Sequence, residues 1–280
     1  MSFQSPQAIH VIAESMKLAL ADRDVYYGDP LFVDVPMEQL LSREYSDIRR
    51  SLINLQKASM TQQPGDPANM KPLLDEQRTK IGLGGPNKDT STCLTADRWG
   101  NVVAATPSGW GGVLAGDIGV WLGSRLISLN TWKGHPNCVQ PGKRPRITLT
   151  PTIVLKGGKP VLAVSVAGGD SQDQATLQIV TNYIDFNLPA DKLVSTPRYA
   201  TEHFVGSFSQ PVPILGGLTI NKQFGQECLD QLSKWGHAIN PKGNDEVPQQ
   251  RTVLVIDPES GSLHAAGDPA ANPKRTATAF

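Results

Sequence analysis

The chain has 280 residues, 39% of them hydrophobic and 19% charged, and its 26 Lys plus Arg balance 26 Asp plus Glu to leave no net charge. That apolar content can bury one large core or two modest ones and excludes a wholly disordered polypeptide. There is no basic excess to hold a phosphate backbone, and the longest apolar stretches, such as Val161 to Ala167, are far shorter than the roughly 20 residues that cross a bilayer, so neither nucleic acid nor a membrane span is expected.

In chain order, Ser5-Pro6 makes an N-cap and first-turn pair, and Ile9, Ile12, Ala13, Met16 and Leu20 follow at helical spacing, which predicts a helix from about Ser5 to Asp22. A turn through Tyr27, Gly28, Asp29 and Pro30 ends it, and Met37 to about Leu55 reads as one or two further helices. From Lys57 to Lys88 the composition shifts to Gln, Pro, Gly and Asp without periodicity, as in an exposed linker. Beyond Thr90 come short strands around tight turns. Thr90 to Ala96 and Val102 to Thr106 flank Asp97-Arg98-Trp99-Gly100-Asn101; Thr152 to Leu155 and Val161 to Val166 flank Gly157-Gly158; Thr252 to Ile256 and Leu263 to Ala266 flank a Pro and Gly turn. Helices are expected at Gln172 to Phe186, apolar around most of its girth, and at Phe224 to Trp235. Hairpins with buried helices predict an α+β architecture of sheet layers covered by helices.

Phosphate loops, His-Glu-x-x-His and Gly-x-Ser-x-Gly are absent from the sequence. Cys93, Cys138 and Cys228 form no CxxC pair and the five histidines no ligand spacing, so neither a metal nor a cofactor is expected. The first residues lack a basic stretch followed by a long apolar core; no signal peptide is read, and a cytoplasmic location is the expectation.

Three features carry chemistry. At Asp89-Thr90-Ser91-Thr92 the polar stretch meets the first strand, and a hydroxyl there becomes a nucleophile if the preceding peptide bond is cut, because the freed amine can act as its own base; the alternative is a threonine-rich strand start. Gly168-Gly169-Asp170 lies between an apolar strand and a helix, where backbone N–H groups and the helix dipole suit an oxyanion; the alternative is an ordinary turn with Asp170 or Ser171 as N-cap. Pro141-Gly142-Lys143-Arg144-Pro145-Arg146 is a stiff basic loop leading into Thr148, suited to a substrate carboxylate or simply a solvated charged surface.

The order of these motifs resembles the gamma-glutamyltranspeptidase family. Ala8-Ile9-His10 through Asp22-Arg23, Gly28-Asp29-Pro30 and Leu40-Leu41-Ser42-Arg43-Glu44-Tyr45 are similar to the end of its large subunit. The Asp97 to Asn101 turn, Pro141 to Pro145, Thr150 to Leu155, Gly168-Gly169, Ala190 to Tyr199 and Gly267-Asp268-Pro269 are similar to its small subunit. The resemblance implies the four-layer αββα sandwich of N-terminal-nucleophile hydrolases, partial because the first part of the large subunit is absent. It divides the chain into residues 1–89, the C-terminal part of a large subunit with its linker, and 90–280, a small catalytic subunit.

The same resemblance implies self-cleavage between Asp89 and Thr90 and an autoprocessing amidohydrolase that works through an acyl-enzyme on Thr90. Ser108 falls on a second hydroxyl near the nucleophile's amine, and Gly168 and Gly169 on the oxyanion pair. Arg125, Ser128, Arg146, Thr148 and Asp170 are the candidate substrate contacts. Implied partners are a small gamma-glutamyl or other acyl-amide substrate and, after cleavage, the chain's own large subunit; a homo-oligomer is left open. Thr92 departs from the family's histidine two residues after the nucleophile. Ser128 stands where members carry an Asp that grips the substrate ammonium, which opens a cephalosporin- or glutaryl-acylase-like alternative. A catalytically silent family fragment is the remaining alternative.

Overall fold

The computed structural model describes residues 1–74, 90–108, 113–243, 246–271 and 278. Along the chain come α1 (Pro6–Tyr26), α2 (Met37–Leu40), α3 (Arg43–Arg50), β1 (Cys93–Ala96), β2 (Val102–Ala105), β3 (Val113–Leu114) and β4 (Trp121–Leu122). A 3-10 turn (Ser124–Ser128) leads to β5 (Thr152–Lys156), β6 (Lys159–Ala167), α4 (Ser171–Phe186), α5 (Ala190–Ser195), β7 (Tyr199–Thr201) and β8 (Gly217–Asn221). Last are α6 (Gln226–Lys234), β9 (Ala238–Lys242), β10 (Gln250–Ile256) and β11 (Leu263–Gly267). They fall into two compact units: the described residues of Met1–Pro86, Arg125–Ile147 and Tyr199–Pro241, and those of Asn87–Ser124, Thr148–Arg198 and Lys242–Phe280. This spatial division interleaves the chain and is of a different kind from the covalent division expected at Thr90.

In the first unit, α1 begins where the sequence places it, with Ser5 Oγ accepting the Ala8 N–H at 3.2 Å. It runs one turn further than expected, to Tyr26. Ile9 and Ala13 pack against Tyr199, Leu218, Ile220, Leu229 and Leu232, so the helix is covered by the sheet β7-β8-β9 and by α6. Its polar side is buried as well: His10, Glu14, Lys17, Asp22 and Arg23 are each less than a tenth exposed. Buried polar groups of this kind must find partners. Asp22 accepts from Tyr45 Oη at 3.0 Å and from the Gly65 N–H at 2.7 Å, and Arg49 faces it at 3.3 Å.

These contacts correct the reading of Lys57 onward as an exposed linker. Ala58, Gly65, Asp66 and Pro67 are buried, and the Ala58 N–H bonds the Trp235 carbonyl at 2.7 Å. Low periodicity marks irregular backbone, but buried side chains elsewhere in the unit supply its hydrogen bonds. Residues 75–89, including Asp89, lie outside the described residues. Sequence reasoning also missed α5 and the sheet β7-β8-β9, whose strands are short and contain no tight hairpin.

The second unit is layered. Its four-stranded antiparallel sheet runs β11-β10-β6-β5, and Gly157 and Gly158, both at positive φ (57° and 80°), close the two-residue β5-β6 hairpin. One face carries Leu162, Val164, Val166 and Val253 against Ala175, Ile179, Leu193 and Val194 of α4 and α5. Burying side chains of this size stabilises by about 1.5–3 kcal/mol each. The alternate residues Val161, Ala163 and Ser165 are equally buried because the β1-β2 hairpin lies on the other face. Thr92 Oγ1 meets Thr252 Oγ1 at 2.9 Å, and Thr106 Oγ1 meets Ser165 Oγ at 2.8 Å. Two antiparallel sheets thus stack face to face, with helices outside one of them.

Among the described residues no helix is long and apolar enough to cross a membrane. The three cysteines are free.

Candidate active site

The site begins with hairpin register. Asp97 Oδ1 accepts the N–H groups of Trp99 and Asn101, each at 2.9 Å, which fixes the turn. Pairing then runs Ala96↔Val102, Thr95↔Val103, Leu94↔Ala104 and Cys93↔Ala105, and continues past the strands where the Ser91 N–H bonds the Pro107 carbonyl at 2.9 Å. The next cross-strand pair is Thr90 and Ser108, whose hydroxyl oxygens stand 3.1 Å apart.

Alternation places Thr90 and Ser108 on the same face as Thr92 and Thr106, the face turned to the four-stranded sheet. The hairpin's direction follows from its closed end, where Asp97 to Gly100 share an open cleft with Gly158, Lys159, Pro160, Asp257 and Pro258. Those residues flank the start of β6 and the end of β10. The open end, with Thr90 and Ser108, therefore runs toward the end of β6, where Gly168 and Gly169 stand.

There the backbone tolerates no side chain. Gly168 has φ 150°, and a Cβ on it would stand 1.9 Å from the Pro248 carbonyl oxygen and 2.7 Å from Ser171 Oγ. Gly169 is left-handed, with φ 57°. The Gly168 carbonyl accepts from Ser171 Oγ at 2.6 Å and from the Ser171 N–H at 3.2 Å. Because a peptide is planar and trans, a Gly168 carbonyl turned onto the helix leaves the Gly169 N–H pointing away from it. Asp170 is the N-cap residue of α4 but makes no side-chain cap bond; the Ser171 hydroxyl ties the turn instead. Thr148 is 2% exposed and its Oγ1 is buried without a partner among the described residues.

The other expected substrate contacts lie in the first unit. Ser128 ends the 3-10 turn at 1% exposure, its Oγ without a partner among the described residues, while its carbonyl accepts from Asn137 Nδ2 at 2.5 Å. Arg125 stacks its guanidinium over Phe208, 5.2 Å from the ring centroid, with Nη1 buried and without a partner among the described residues. Ser209 and Gln210 beside Phe208 are non-glycine residues at positive φ (57° and 48°), a strained turn.

Arg144 and Arg146 of the basic loop are paired with carboxylates of the first unit. Arg144 binds Asp29 through its backbone N–H (2.9 Å), Nε (3.2 Å) and Nη2 (3.0 Å), and these bonds hold the Asp29 carboxyl well below the usual carboxylate range. Arg146 reaches Asp24 at 3.3 Å. Burial pushes the Asp24 carboxyl up, but the His135 hydrogen bond and the charges of Arg146, His135 and Arg23 leave it below its ordinary value. Lys143 is 5% exposed, with its ammonium 5.7 Å from the Phe32 ring centroid.

Residues 1–278 match the family model for gamma-glutamyltranspeptidase. The chain belongs to the gamma-glutamyltranspeptidase family. It is 31% identical to a glutathione hydrolase proenzyme of Bacillus subtilis (strain 168) over 281 residues, covering 96% of this chain and 44% of that protein. It is also 31% identical to the Acylase ACY 1 proenzyme of Pseudomonas sp. (strain SE83), covering 76% of this chain and 36% of that protein. Two solved structures superpose over almost the whole chain. LmbA2991HD has a TM-score of 0.83 at 33% identity, covering 96% of this chain and 48% of that one. The cephalosporin acylase of Bacillus halodurans has 0.77 at 26% identity, covering 97% and 45%.

The fold is thus that of the gamma-glutamyltranspeptidases within the N-terminal-nucleophile hydrolases, and the chain spans less than half the length of these relatives. Sequence reasoning did not foresee the parts played by Thr92, Ser165 and Thr252, which pin the layers beside the Thr90 pair, or by Pro248, whose carbonyl excludes a side chain at Gly168. Nothing in the local sequence around them signals those contacts.

Proposed function

We propose that this chain carries the C-terminal part of the large subunit and a small catalytic subunit of an autoprocessing threonine amidohydrolase, and that it hydrolyses or transfers a gamma-glutamyl or similar acyl group. The observation that carries the reading is the 3.1 Å pair of Thr90 Oγ1 and Ser108 Oγ at the open end of the hairpin. In processing, Thr90 Oγ1 attacks the Asp89 carbonyl carbon. The C–N bond breaks, the hydroxyl proton passes to the freed Thr90 amine, and water hydrolyses the resulting ester to an Asp89 α-carboxylate and the Thr90 hydroxyl.

In turnover, that amine takes the proton of the Thr90 hydroxyl as Oγ1 attacks the substrate amide, and the proton passes to the leaving amine. Water or an acceptor amine then releases the acyl group from Thr90. Ser108, within hydrogen-bond distance, orients the hydroxyl. Gly168 and Gly169 supply backbone N–H groups to the tetrahedral oxygen, a role supported by the positive φ of both, by the close approach that excludes a side chain at Gly168, and by the peptide orientation between them; losing one such donor typically costs about 100- to 1000-fold in turnover.

A second reading of the substrate is favoured by Ser128, a buried hydroxyl with no charge to offer an ammonium group. With Arg125 as a cation, it suits an acyl group that bears a carboxylate and no free amine, as in a cephalosporin- or glutaryl-acylase. Arg146 is left out of this assignment because Asp24 occupies it.

Mass spectrometry of the complete purified protein tests processing. Two pieces meeting between Asp89 and Thr90 are expected from the wild type and one chain from Thr90→Ala. Cleavage of that variant at the same bond, without proteases, would overturn the nucleophile assignment. A wild type that stays intact would favour a catalytically silent protein.

A further inference from the structure

We infer that His10, Glu14 and His237 form a binding site for one divalent cation of the zinc class inside the first unit. His10 and Glu14 stand four residues apart on α1, so they share one face of the helix. His237 comes from the turn between α6 and β9, 227 residues further along the chain. One ligand atom of each lies within 4.8 Å of the others, and the three residues are 0%, 4% and 3% exposed. Two imidazoles and a carboxylate make a donor set that zinc accepts, with one tetrahedral position left for water.

Tautomers give the second argument. His10 Nε2 lies 2.7 Å from the Asn54 carbonyl oxygen, which can only accept, so that nitrogen carries the hydrogen and Nδ1 presents a lone pair. His10 Nδ1 is 2.8 Å from His237 Nε2, so without a metal His237 must donate there. Its remaining lone pair, on Nδ1, is then buried without a partner among the described residues. A cation between His10 Nδ1 and His237 Nε2 would take both lone pairs and move the His237 hydrogen to Nδ1.

The supporting shell is present. A metal-binding histidine usually donates its other N–H to a carbonyl, as His10 does to Asn54. Glu14 is oriented by Lys17 Nζ at 2.6 Å and by the Ser59 N–H at 3.1 Å. Lys17 is the competing cation: on metal binding the carboxylate turns one oxygen to the ion, and Lys17 keeps the Ser59 carbonyl, 3.2 Å away. The movement is small. Ligands at about 2.0–2.2 Å from zinc stand roughly 3.2–3.6 Å apart, so the two rings open by under about an ångström from 2.8 Å and Glu14, within 4.8 Å, closes by up to about 1.6 Å. The ion would clasp α1 to the segment that joins α6 to β9.

The test titrates the full chain, after dialysis against a chelator, with Co²⁺ and Zn²⁺ separately. One equivalent of Co²⁺ with a tetrahedral visible spectrum, displaced by Zn²⁺, is expected, together with a rise of several degrees in melting temperature. Both responses should be lost in Glu14→Gln and His237→Gln and kept in His264→Gln, a control histidine on β11. No spectrum and no melting shift in the wild type overturns the site, and so does an undiminished response in either ligand variant. If His237→Gln fails to fold, the wild-type titration and Glu14→Gln still decide.

Discussion

Arg198 and Asp268 form a doubly bonded ion pair in the interior of the second unit, Nη1 to Oδ2 at 2.5 Å and Nη2 to Oδ1 at 3.1 Å, with side chains 2% and 1% exposed. Arg198 Nη2 also donates to the Val194 carbonyl at 3.2 Å, and Nη1 to that of Gln249. One guanidinium thus joins the end of α5 to the segment before β10 and to the Gly267-Asp268-Pro269 motif after β11. Removing one partner strands a buried charge, at a cost of about 3–5 kcal/mol. Asp268→Asn should lower the denaturation midpoint by that order with the slope unchanged, as read by urea unfolding. A midpoint within error of wild type would show that the pair adds little.

Gly168→Ala should be more damaging than Gly169→Ala. The first forces a Cβ to within 1.9 Å of the Pro248 carbonyl oxygen, whereas the second meets at least the left-handed strain of φ 57°. Expected costs are about 2–5 kcal/mol for Gly168→Ala and about 1–2 kcal/mol for Gly169→Ala. Calorimetry of both variants checks the order.

The exchange of a carboxylate for Ser128 bears on substrate choice. An ammonium without a carboxylate partner loses a charge-assisted bond worth roughly 1.5–3 kcal/mol, or about 10- to 150-fold in affinity. Gamma-glutamyl and glutaryl derivatives of one chromogenic amine, compared on the complete processed protein, should favour the glutaryl compound. Faster turnover of the gamma-glutamyl compound returns the chain to ordinary transpeptidase chemistry.

His203 predicts an acid limit to stability. Its Nδ1 accepts the Gly216 N–H at 2.9 Å and its Nε2 faces the Thr61 carbonyl at 3.1 Å, so the neutral ring fits and a doubly protonated one sets hydrogen against hydrogen at Gly216. Burial, then the Lys17 charge, lowers its pKa from 6.5 to about 4. The unfolded chain therefore binds more protons between these values: the stabilisation is complete above about 6.5 and is lost as pH falls through about 4. His203→Gln should show a smaller drop in melting temperature between pH 7 and pH 4 than wild type; an equal drop assigns the acid sensitivity elsewhere.

The sequence by itself determined the local elements and the register of the site. The N-cap at Ser5, the Gly157-Gly158 turn and the Asp97 turn are short-range devices, and counting outward from Trp99 in the β1-β2 hairpin pairs Thr90 with Ser108 before any packing is known. Gly168-Gly169 was legible as the turn between an apolar strand and a helix, while its reading as an oxyanion pair came from the resemblance to the family and the carbonyl pressed against Gly168 came only from packing. Tertiary structure decided which polar groups are occupied. It drew Arg144 to Asp29 and Arg146 to Asp24, buried the polar side of α1, ordered the backbone after Lys57 against Asp22 and Arg49, and set His10 beside His237. Local pattern reports hydrophobic period and turn chemistry over a few residues, whereas the partner of a buried charge or imidazole is chosen by packing across tens to hundreds of residues.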